Sequence, residues 1–519
     1  MSKKFWIAAL LLVAPLPLAA QESDGDYLDK SLEELLATPV SVATGTTSTS
    51  ASRSPGIITV ITARDIERTG ARDLVDVLRM VPGLEVELDM GGLLGMGMRG
   101  IYASEGKVLL LIDGIEFNED IYGAFNVGHR IPVAMIDRVE VIRGPGSAMY
   151  GGYAELGVIS VHLKKPTLEN EVLYHSGAGV MFDNRNATLG RALGTAYYGA
   201  SRRHVRFALS ASGDFGHMSN RTARDLYRET WDMSNERVAS LFLHGHLNLY
   251  GLDVRVMVNR YDLESAYPSY EFVDYSTGHY SYLASVKYDW KLNAKLTITP
   301  RFQVKIQQPW HTPRLYTPEG ERFPDWEYDL LSQKYTGELN VNWQLLDELI
   351  LSGGLAYDHL FGKEYMGWGY FAGNTSAHYN NVAIYLQGLA TTRIVDFTLG
   401  ARFNYHDKAG SSFVPRLAIT KEFPRYVHLK LLAAMAYKAP TMLNLGENPD
   451  IKPEKSQTLE MELGLRAKKW ASMTVNLFAT RLHDAIVYTL VDDLDDTYVN
   501  QRGLSTAGLE TTGKLKAQW

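Results

Sequence analysis

The sequence contains no cysteine. This absence excludes disulfide bonds, thiolate metal sites, cysteine nucleophiles and a lipid anchor on an N-terminal cysteine. After the first twenty residues there is also no apolar run long enough to cross a bilayer as a helix. A helical membrane protein is therefore excluded, and the chain is stabilised by something other than cross-links.

Charge of one sign is not concentrated anywhere in the chain. The 52 Lys and Arg residues and the 59 Asp and Glu residues give a net charge of −7 without long charge runs. A basic face, which binding to nucleic acid requires, is missing. We therefore expect no nucleic-acid partner.

The N-terminus has the features of a secretory signal peptide. Lys3 and Lys4 precede an apolar run over residues 5–13, and small residues follow at Ala19 and Ala20. We predict export of the protein, with residues 1–20 removed by cleavage after Ala20.

The chain up to Pro166 has the pattern of a small mixed α/β domain. Short apolar segments predict strands at Gly56–Thr62, Val108–Ile112 and Arg138–Ile142. A helical pattern runs over Asp65–Met80 and ends before a Pro-Gly pair. The residues predicted to form the buried face of this helix are Ile66, Leu74, Val77 and Leu78.

The chain after Pro166 changes to alternating segments of about ten residues, the length of a tilted membrane-spanning strand. We count about sixteen, among them Val238–Tyr250, Leu349–Leu360, Val395–Tyr405 and Met473–Tyr488. Every second connection is short and those between are mostly long, an asymmetry typical of outer-membrane barrels. The alternative, a soluble β-sandwich, has no reason to keep this parity. The pattern predicts a transmembrane antiparallel β-barrel over residues 167–519.

The alternation of apolar and polar side chains within one strand favours a water-filled lumen and a lipid-facing exterior. In Leu241–Tyr250, leucines fall on one face, whereas His244 and His246 fall on the other with Phe242. Two histidines two residues apart are either lumen-lining side chains or a metal-binding pair.

Several short motifs follow one another within residues 54–166. They are Ser54–Thr62 with Asp65-Ile66, Asp73-Leu74 with Val81–Leu84, Met98–Gly100, Val108–Gly114 and Ile136–Gly151. In this order and at this spacing they resemble the plug domain of TonB-dependent outer-membrane receptors. The resemblance implies that residues 54–166 form a plug in the lumen of the barrel.

The resemblance also implies a function and a cellular location. Receptors of this family lie in the outer membrane of Gram-negative bacteria, in contact with its lipid, and are inserted by the barrel-assembly machinery. They bind a scarce small-molecule ligand, such as an iron-siderophore or cobalamin, and import it with energy from the TonB protein of the inner membrane. A receptor or adhesin that binds without transport is the alternative. The family barrel has twenty-two strands, whereas about sixteen are seen here. The chain is therefore either shortened or a complete smaller barrel, and we expect the former.

Residues 21–53 are expected to form a periplasmic segment and linker. Within them, Thr38–Thr44 resembles the TonB box, whose core is Val40, Ser41, Val42 and Ala43. Such a segment pairs its main chain with a strand of the coupling protein, while alternate side chains set specificity.

The resemblance assigns a plug–barrel lock to two plug arginines. Arg99 and Arg143 are expected to face barrel carboxylates, with Glu462 as one such partner. The alternative is that both arginines donate to plug backbone.

Two further plug motifs are turns. Asp113-Gly114 and Gly144-Pro145 are places where a glycine permits a sharp change of direction. The glycine-rich stretch Arg143–Gly152 also invites comparison with a phosphate loop, but it lacks the Gly-Lys-Ser/Thr ending. We therefore interpret both motifs as structural.

Aromatic residues are concentrated in the predicted outer loops. Aromatic side chains with polar neighbours offer contact area to a ligand at small entropic cost. The candidate ligand contacts are Trp310, Trp326, Tyr365, Trp368, Tyr370 and Phe371. No Ser-His-Asp, paired-carboxylate or metal-ligand set can be placed at a common site, so we predict no enzyme, no cofactor and no metal centre.

Overall fold

A computed structural model describes most of the chain. The described residues are 39–40, 49–88, 94–182, 187–217, 219, 221–224, 228, 230–232, 236–265, 275–312, 322, 327–423, 427–467, 470–492 and 495–515. The predicted signal peptide, Ser41, Val42, Ala43 and Trp326 lie outside them. No helix within these ranges has the length and apolar character needed to cross a membrane.

The first described elements are two short paired strands. Strand β1 (Pro39–Val40) pairs in antiparallel fashion with β2 (Thr49–Ser50), so that Val40 lies opposite Thr49. The Val40 side chain is buried. The described part of the predicted TonB box is therefore already a paired strand.

The next elements are β3 (Ile58–Thr62), α1 (Ala63–Thr69) and α2 (Leu74–Leu78). The single helix predicted over Asp65–Met80 is wrong, because Gly70 adopts a φ of 66° and ends α1. Asp73 then caps α2 by accepting a hydrogen bond from the Asp76 amide at 2.9 Å. The predicted buried face is confirmed, and its residues are Ile66, Leu74, Val77 and Leu78.

The remaining plug elements form two small sheets. They are β4 (Leu84–Leu88), β5 (Leu94–Met98), β6 (Ile101–Tyr102), β7 (Val108–Ile112), β8 (Ile115–Glu116), β9 (Ile136–Arg143), α3 (Ser147–Tyr150) and β10 (Gly157–Leu163). One sheet has the strand order β3-β9-β10-β7-β8 and the other β4-β5-β6. The β7 and β10 strands are parallel and the other pairs are antiparallel.

The two faces of the five-stranded plug sheet pack against different apolar clusters. Leu110, Ile112 and Val139 point into the main apolar core, which also contains the buried residues of α1 and α2. Leu109 and Leu111 point the opposite way and belong to a smaller cluster. The plug therefore has one fully packed face and one face with fewer apolar neighbours.

The wall that surrounds the plug is a single large sheet with short accessory elements. Its strands and one helix are β11 (Glu171–Phe182), β12 (Ala187–Arg202), β13 (Val205–His217), β14 (Thr222–Arg224), β15 (Thr230–Asp232), β16 (Arg237–Leu249), β17 (Leu252–Ser265), β18 (Tyr275–Tyr288), β19 (Trp290–Lys291), β20 (Leu296–His311), β21 (Leu330–Leu346), β22 (Leu349–Glu364), β23 (Ser376–Thr391), β24 (Asp396–His406), β25 (Gly410–Phe423), β26 (Val427–Lys438), α4 (Met442–Glu447), β27 (Glu454–Ala467), β28 (Ala471–His483), β29 (Ala485–Asp492), β30 (Asp495–Gln501) and β31 (Ser505–Leu515).

The predicted antiparallel architecture is confirmed. Within the described residues sixteen long strands pair in sequence from β11 to β31, with β14-β15 and β29-β30 as separate hairpins. The predicted strand over Met473–Tyr488 is wrong, because Asp484 takes a φ of 53° and starts a new strand. The pairings of the described strands run from β11 to β31 and do not join these two strands to each other.

Strand alternation separates the two faces of the wall. On β23, Val382, Ile384 and Leu386 are exposed on the outside, whereas Ala383 and Tyr385 are buried on the inside. This is the pattern of a lipid-facing exterior.

The two histidines of β16 lie on the inner face of the wall. His246 Nε2 lies 2.9 Å from Asp253, and His244 Nε2 lies 4.0 Å from the plug residue Asp113. No cluster of three metal-ligating side chains occurs in the part of the chain that the structure describes. Both histidines therefore line the lumen, each close to a carboxylate.

Candidate functional site: the plug–wall interface and the outer mouth

The plug and the wall meet at a buried cluster of opposite charges. Arg99 Nη1 lies 2.8 Å from Glu460, and Arg99 Nε lies 2.9 Å from Glu510. Arg143 Nη1 lies 2.5 Å from the other oxygen of Glu510. The side chains of this cluster are only 3–7 % exposed. The Arg99 guanidinium also stacks on Phe478, 4.4 Å from the ring centroid.

Local backbone geometry brings these groups together. Arg99 and Gly100 have φ values of 54° and 75°, so a tight turn between β5 and β6 presents the guanidinium to the wall. At Gly144, φ is 116° and an added Cβ would lie 2.8 Å from a carboxylate oxygen of Glu460. Glycine is therefore required for the close approach of this turn to the wall.

Glu462 lies one step further along the same strand face and has other partners. It lies 3.1 Å from His428 and 3.2 Å from Lys430. Lys430 is its neighbour on β26 by register, which explains this pairing. The ion-pair partners of the two plug arginines are accordingly Glu460 and Glu510 rather than Glu462.

The Asp113-Gly114 turn is a second contact with the wall. Both residues have positive φ, at 49° and 81°, as a two-residue hairpin turn requires. Arg255 Nη1 donates to the Asp113 carbonyl at 2.7 Å and lies 3.2 Å from its carboxylate. Arg301 and Gln303 both donate to the Gly114 carbonyl. The turn is therefore held by three wall side chains, all of them through plug backbone carbonyls.

A third contact joins two wall lysines to the strand and loop that follow this turn. Lys305 Nζ lies 2.5 Å from Glu116 and 3.0 Å from Asp120, and it donates to the Asn118 carbonyl at 2.6 Å. Lys334 Nζ lies 3.0 Å from the second oxygen of Glu116. All of these groups lie at the base of the apical loop of the plug, residues 118–126.

Glu119 organises the apical loop from inside. Its carboxylate accepts hydrogen bonds from the amides of Ile121, Tyr122 and Ala124 at 2.8–3.1 Å. Because these amides belong to the loop itself, the carboxylate holds the loop in one shape, with Tyr122 at its tip.

Aromatic side chains surround that tip at the outer mouth. The Tyr122 ring lies 5.4 Å from Trp310, and its hydroxyl lies 2.5 Å from the hydroxyl of Tyr370. Trp310 also packs on His279 and takes a φ of 59°, a conformation unusual for a bulky residue. The structure therefore brings two of the predicted ligand contacts, Trp310 and Tyr370, onto the plug.

The other candidate aromatics lie around this group. Phe371 is 2 % exposed and packs in an apolar cluster with the plug residue Ile121 and with α4. Trp368 is 42 % exposed and lies 5.6 Å from Tyr328. Tyr365 is exposed beneath the ammonium group of Lys363. Trp368 and Tyr365 are thus open to solvent, whereas Phe371 is a packing residue.

Two family models account for nearly the whole described chain. The TonB-dependent receptor plug domain matches residues 50–158, and the TonB-dependent receptor-like β-barrel matches residues 168–519. The chain belongs to the TonB-dependent receptor family. Members of this family are receptors and transporters.

Curated relatives of this receptor include proteins named vitamin B12 transporter BtuB. The Vibrio cholerae protein is 22% identical over 421 residues, which are 78% of this chain and 64% of that protein. The Vibrio vulnificus protein is 45% identical over 105 residues, 20% of this chain and 17% of that protein. The receptor thus spans less than two thirds of the curated relatives that it matches.

Solved structures of siderophore receptors share its fold. The ferric enterobactin receptor PfeA of Pseudomonas aeruginosa, in a mutant form, superposes with a TM-score of 0.71 at 16% identity, over 91% of this chain and 79% of that one. PirA of Acinetobacter baumannii gives 0.68 at 17% identity, over 94% and 80%. At these identities the likeness concerns the fold alone.

Several charged residues of the receptor's interface were missed by sequence reasoning. They are Glu116, Asp120, Lys305, Lys334, Glu460 and Glu510. The available signal was the occurrence of charged residues at lumen-facing positions of alternating strands, where burial demands an opposite charge. That signal identifies the residues but not their partners.

Acid is expected to weaken the contact at Glu116. Burial alone would raise the pKa of this carboxyl, but the ammonium groups of Lys305 and Lys334 lower it from 4.5 to about 2. A carboxyl whose pKa is depressed in the folded state stabilises that state above its ordinary pKa and loses the contribution as it is protonated. The apical loop should therefore loosen as the pH falls from about 4.5 towards 2.

Trp310 fluorescence measures this loosening, since its indole packs on Tyr122. Subtracting the spectrum of the Trp310→Phe variant isolates its signal from that of the other tryptophans. Glu116→Gln, which has no carboxyl to protonate, serves as the control and should give a flatter profile over the same pH range. Identical pH profiles of Trp310 fluorescence for the unaltered receptor and for Glu116→Gln would contradict the assignment of the loosening to Glu116.

Proposed function

We propose that this receptor sits in the outer membrane of a Gram-negative bacterium and imports a scarce extracellular ligand through its barrel. The energy comes from the TonB protein, and the outward apolar residues of the wall contact outer-membrane lipid after insertion by the barrel-assembly machinery. It is a transporter without enzymatic activity or cofactor.

The main support for this proposal is the position at which the plug's N-terminal segment leaves the barrel. Arg53 donates to Asp396 at 2.8 Å, and Lys430 donates to the carbonyl of Ala51 at 2.8 Å. Asp396 begins β24 and Lys430 lies near the start of β26, so both lie at the short-turn end of the wall. In an outer-membrane barrel the short turns are periplasmic. These contacts support the proposal that the segment containing Val40 faces the periplasm, within reach of a coupling protein.

The pairing of Val40 with Thr49 supports coupling by strand exchange. Among the described residues, two residue pairs join β1 to β2. A partner strand that pairs with residues 38–44 replaces these few contacts with a longer ladder. Force applied to residues 38–44 is transmitted along the chain to Ala51, whose carbonyl accepts a hydrogen bond from Lys430.

The outer mouth favours a rigid ligand with both apolar and polar surface. Trp310 and Tyr370 present rings next to hydroxyl and imidazole groups, and Trp368 and Tyr365 are exposed nearby. With Phe371 behind them, these aromatic residues offer contact surface to a metal chelate or macrocycle such as an iron-siderophore or cobalamin. Trp326, which lies outside the described residues, remains a candidate contact from the sequence. The relatives named vitamin B12 transporters make cobalamin the first ligand to test.

Deletion of Thr38–Thr44 is the decisive experiment for energised uptake. We expect uptake of radiolabelled cyanocobalamin or ferric enterobactin to fall to background, while binding of the same probe to cells is retained. A variant with these seven residues in shuffled order separates the effect of sequence from that of length. Uptake equal to that of the unaltered receptor would overturn the proposal in favour of a receptor that binds without TonB-driven transport.

A further inference from the structure

A shallow apolar groove lies on the lipid-facing side of strands β25 to β28. Its volume is about 500 Å³. Its surface is lowest at Ala433 and Ala479, which lie on either side of Leu459 by register. Exposed apolar side chains surround these alanines, and they are Leu417, Leu431, Leu459, Met461 and Leu477. An apolar depression of this size accommodates an acyl chain.

Three basic side chains, Lys455, Arg481 and His483, form a cluster at the outer end of this groove. Arg481 lies two residues beyond Ala479 on the same face of β28, and His483 lies two residues beyond Arg481. Lys455 lies directly opposite His483 on β27. Same-face neighbours along a strand are about 7 Å apart. The basic cluster therefore adjoins the groove.

The basic cluster has no carboxylate partner in the part of the chain that the structure describes. Lys455 and Arg481 are exposed and form no ion pair there. Asp484 is adjacent to His483 in sequence but forms no ion pair with any of the three groups. The Nε2 atom of His483 also has no hydrogen-bond partner. The cluster is thus free to bind an anion from outside the protein.

A second set of charged residues at the same edge of the wall is compensated within the protein. The register places Arg237 of β16 opposite Glu264 of β17. Arg260 stacks on Tyr280, whose hydroxyl donates to Asp262 at 2.6 Å. Charges of both signs are already neighbours at this edge, so an external anion gains less there than at the basic cluster.

The height of the basic cluster matches that of lipid headgroups. Lys455 and the exposed Leu465, near the short turn, are ten positions apart on β27. Ten residues span about 33 Å of strand, which at a tilt of about 40° rises about 25 Å. The apolar band of an outer-membrane barrel is about 25 Å tall. The cluster therefore lies at the outer headgroup level and the groove at the level of the acyl chains.

The strands beneath the groove also hold the plug. Glu460 and Phe478 belong to β27 and β28 and form part of the groove's lining. On the inner side of the wall, Glu460 forms an ion pair with Arg99, and Phe478 stacks on the Arg99 guanidinium. A molecule bound in the groove therefore packs against the two strand segments that hold Arg99.

We propose that the groove and the basic cluster bind a phosphate-bearing lipid of the outer leaflet, and that this lipid stabilises the seating of Arg99 through the wall. One acyl chain fills the groove, and phosphate oxygens accept hydrogen bonds from Arg481, Lys455 and His483. Filling the groove restricts the movement of β27 and β28 and so holds Glu460 in place. The proposal rests on the proposed location in the outer membrane and is independent of ligand uptake.

Native mass spectrometry of the full-length receptor in detergent tests the site. We expect dimyristoyl phosphatidic acid to bind at least about tenfold more tightly than dimyristoyl phosphatidylcholine, because charged hydrogen bonds are added. Lys455→Gln with Arg481→Gln should abolish this preference. Arg237→Gln with Arg260→Gln is the charge-matched control and should retain it. Equal affinities for the two lipids, or equal losses in the two double variants, would overturn the site.

Two further arms identify the occupant. Ala479→Leu fills the groove without changing charge and should weaken binding of phosphatidic acid, whereas Ala284→Leu, at an outward position of β18, should leave it unchanged. Equal effects of these substitutions would exclude the groove as the acyl-chain site. Displacement of the lipid by an equal concentration of inorganic phosphate would assign the cluster to a free anion. A receptor dimer in place of the lipid-bound monomer would assign the groove to a second copy. Either result would overturn the proposal.

Hydrogen exchange tests the link to Arg99. Phosphatidic acid should slow exchange of residues 94–100 severalfold in the unaltered receptor but not in Lys455→Gln with Arg481→Gln. Residues 113–125, which contact other strands, are the internal control. Slowing of both peptides, or of neither, would remove the link to the plug. Because no measurement involves uptake, failure of the transport function would leave these results interpretable.

Discussion

Glu510→Gln is expected to destabilise the seating of the plug by about 3–5 kcal/mol, the usual cost of breaking a buried ion pair by removing one partner. Glu510 accepts hydrogen bonds from Arg99 at 2.9 and 3.2 Å and from Arg143 at 2.5 Å. Neutralising this carboxylate leaves Glu460 as the remaining ion-pair partner of the two buried guanidinium groups. Glu460 forms an ion pair with Arg99 but not with Arg143. The expected result is local release of the β5–β6 turn and of the end of β9.

Hydrogen exchange of the full-length receptor measures this release. Peptides from residues 94–100 and 136–144 should exchange at least about a hundredfold faster, since every 1.4 kcal/mol is a factor of ten. Glu422→Gln is the control, because Glu422 forms a partly exposed pair with Arg466 at 3.4 Å, a type of contact worth about 0–1 kcal/mol. Similar exchange in the two variants would show that the buried cluster does not hold the plug.

Lys305→Met should have an effect of similar size at the other end of the plug. The substitution removes the ammonium group that bridges Glu116, Asp120 and the Asn118 carbonyl. Glu116 keeps Lys334, but the carboxylate of Asp120 is left buried with its nearest cation gone. We expect a loss of about 2–5 kcal/mol in apical-loop stability, as for other truncated buried charge pairs.

A second substitution separates charge from packing in this prediction. Asp120→Asn in the Lys305→Met background removes the uncompensated charge and should restore part of the loss, giving a coupling energy above about 1 kcal/mol. Exchange of peptides from residues 113–125 is the readout. Lys295→Met, which removes an ion pair with a largely exposed Asp347, should change nothing measurable. If the double variant is no more stable than Lys305→Met alone, the loss comes from packing rather than charge.

The parts of the fold that follow local patterns were predictable from sequence. Wall strands and the parity of their connections depend on alternation with a period of two and on turn residues, both of which the sequence carries. The plug helices show the limit of such patterns. The apolar spacing of Ile66, Leu74 and Val77 continues through Gly70, so that the periodicity alone does not reveal the break.

The contacts of the site depend on three-dimensional placement and were less predictable. The choice of Glu460 over Glu462 as a partner of Arg99 is a choice between positions about 7 Å apart on one strand face, and it depends on the height of the plug in the lumen. Tyr370 and Phe371 lie in an irregular loop, where no periodicity indicates which side chains turn inward. That both pack against the plug emerged only from the structure.

The partners in the Arg99–Glu510 contact are 411 residues apart in sequence. The plug is synthesised first, but Glu510, the carboxylate that pairs with both of its arginines, lies on β31. Closing so long a loop is slow compared with forming the hairpins of the wall, which pair neighbouring segments. The contact therefore forms late, and until it does Arg143 is without its ion-pair partner and Arg99 has only Glu460. Firm seating of the plug therefore depends on the docking of β31, a strand that is synthesised long after the plug.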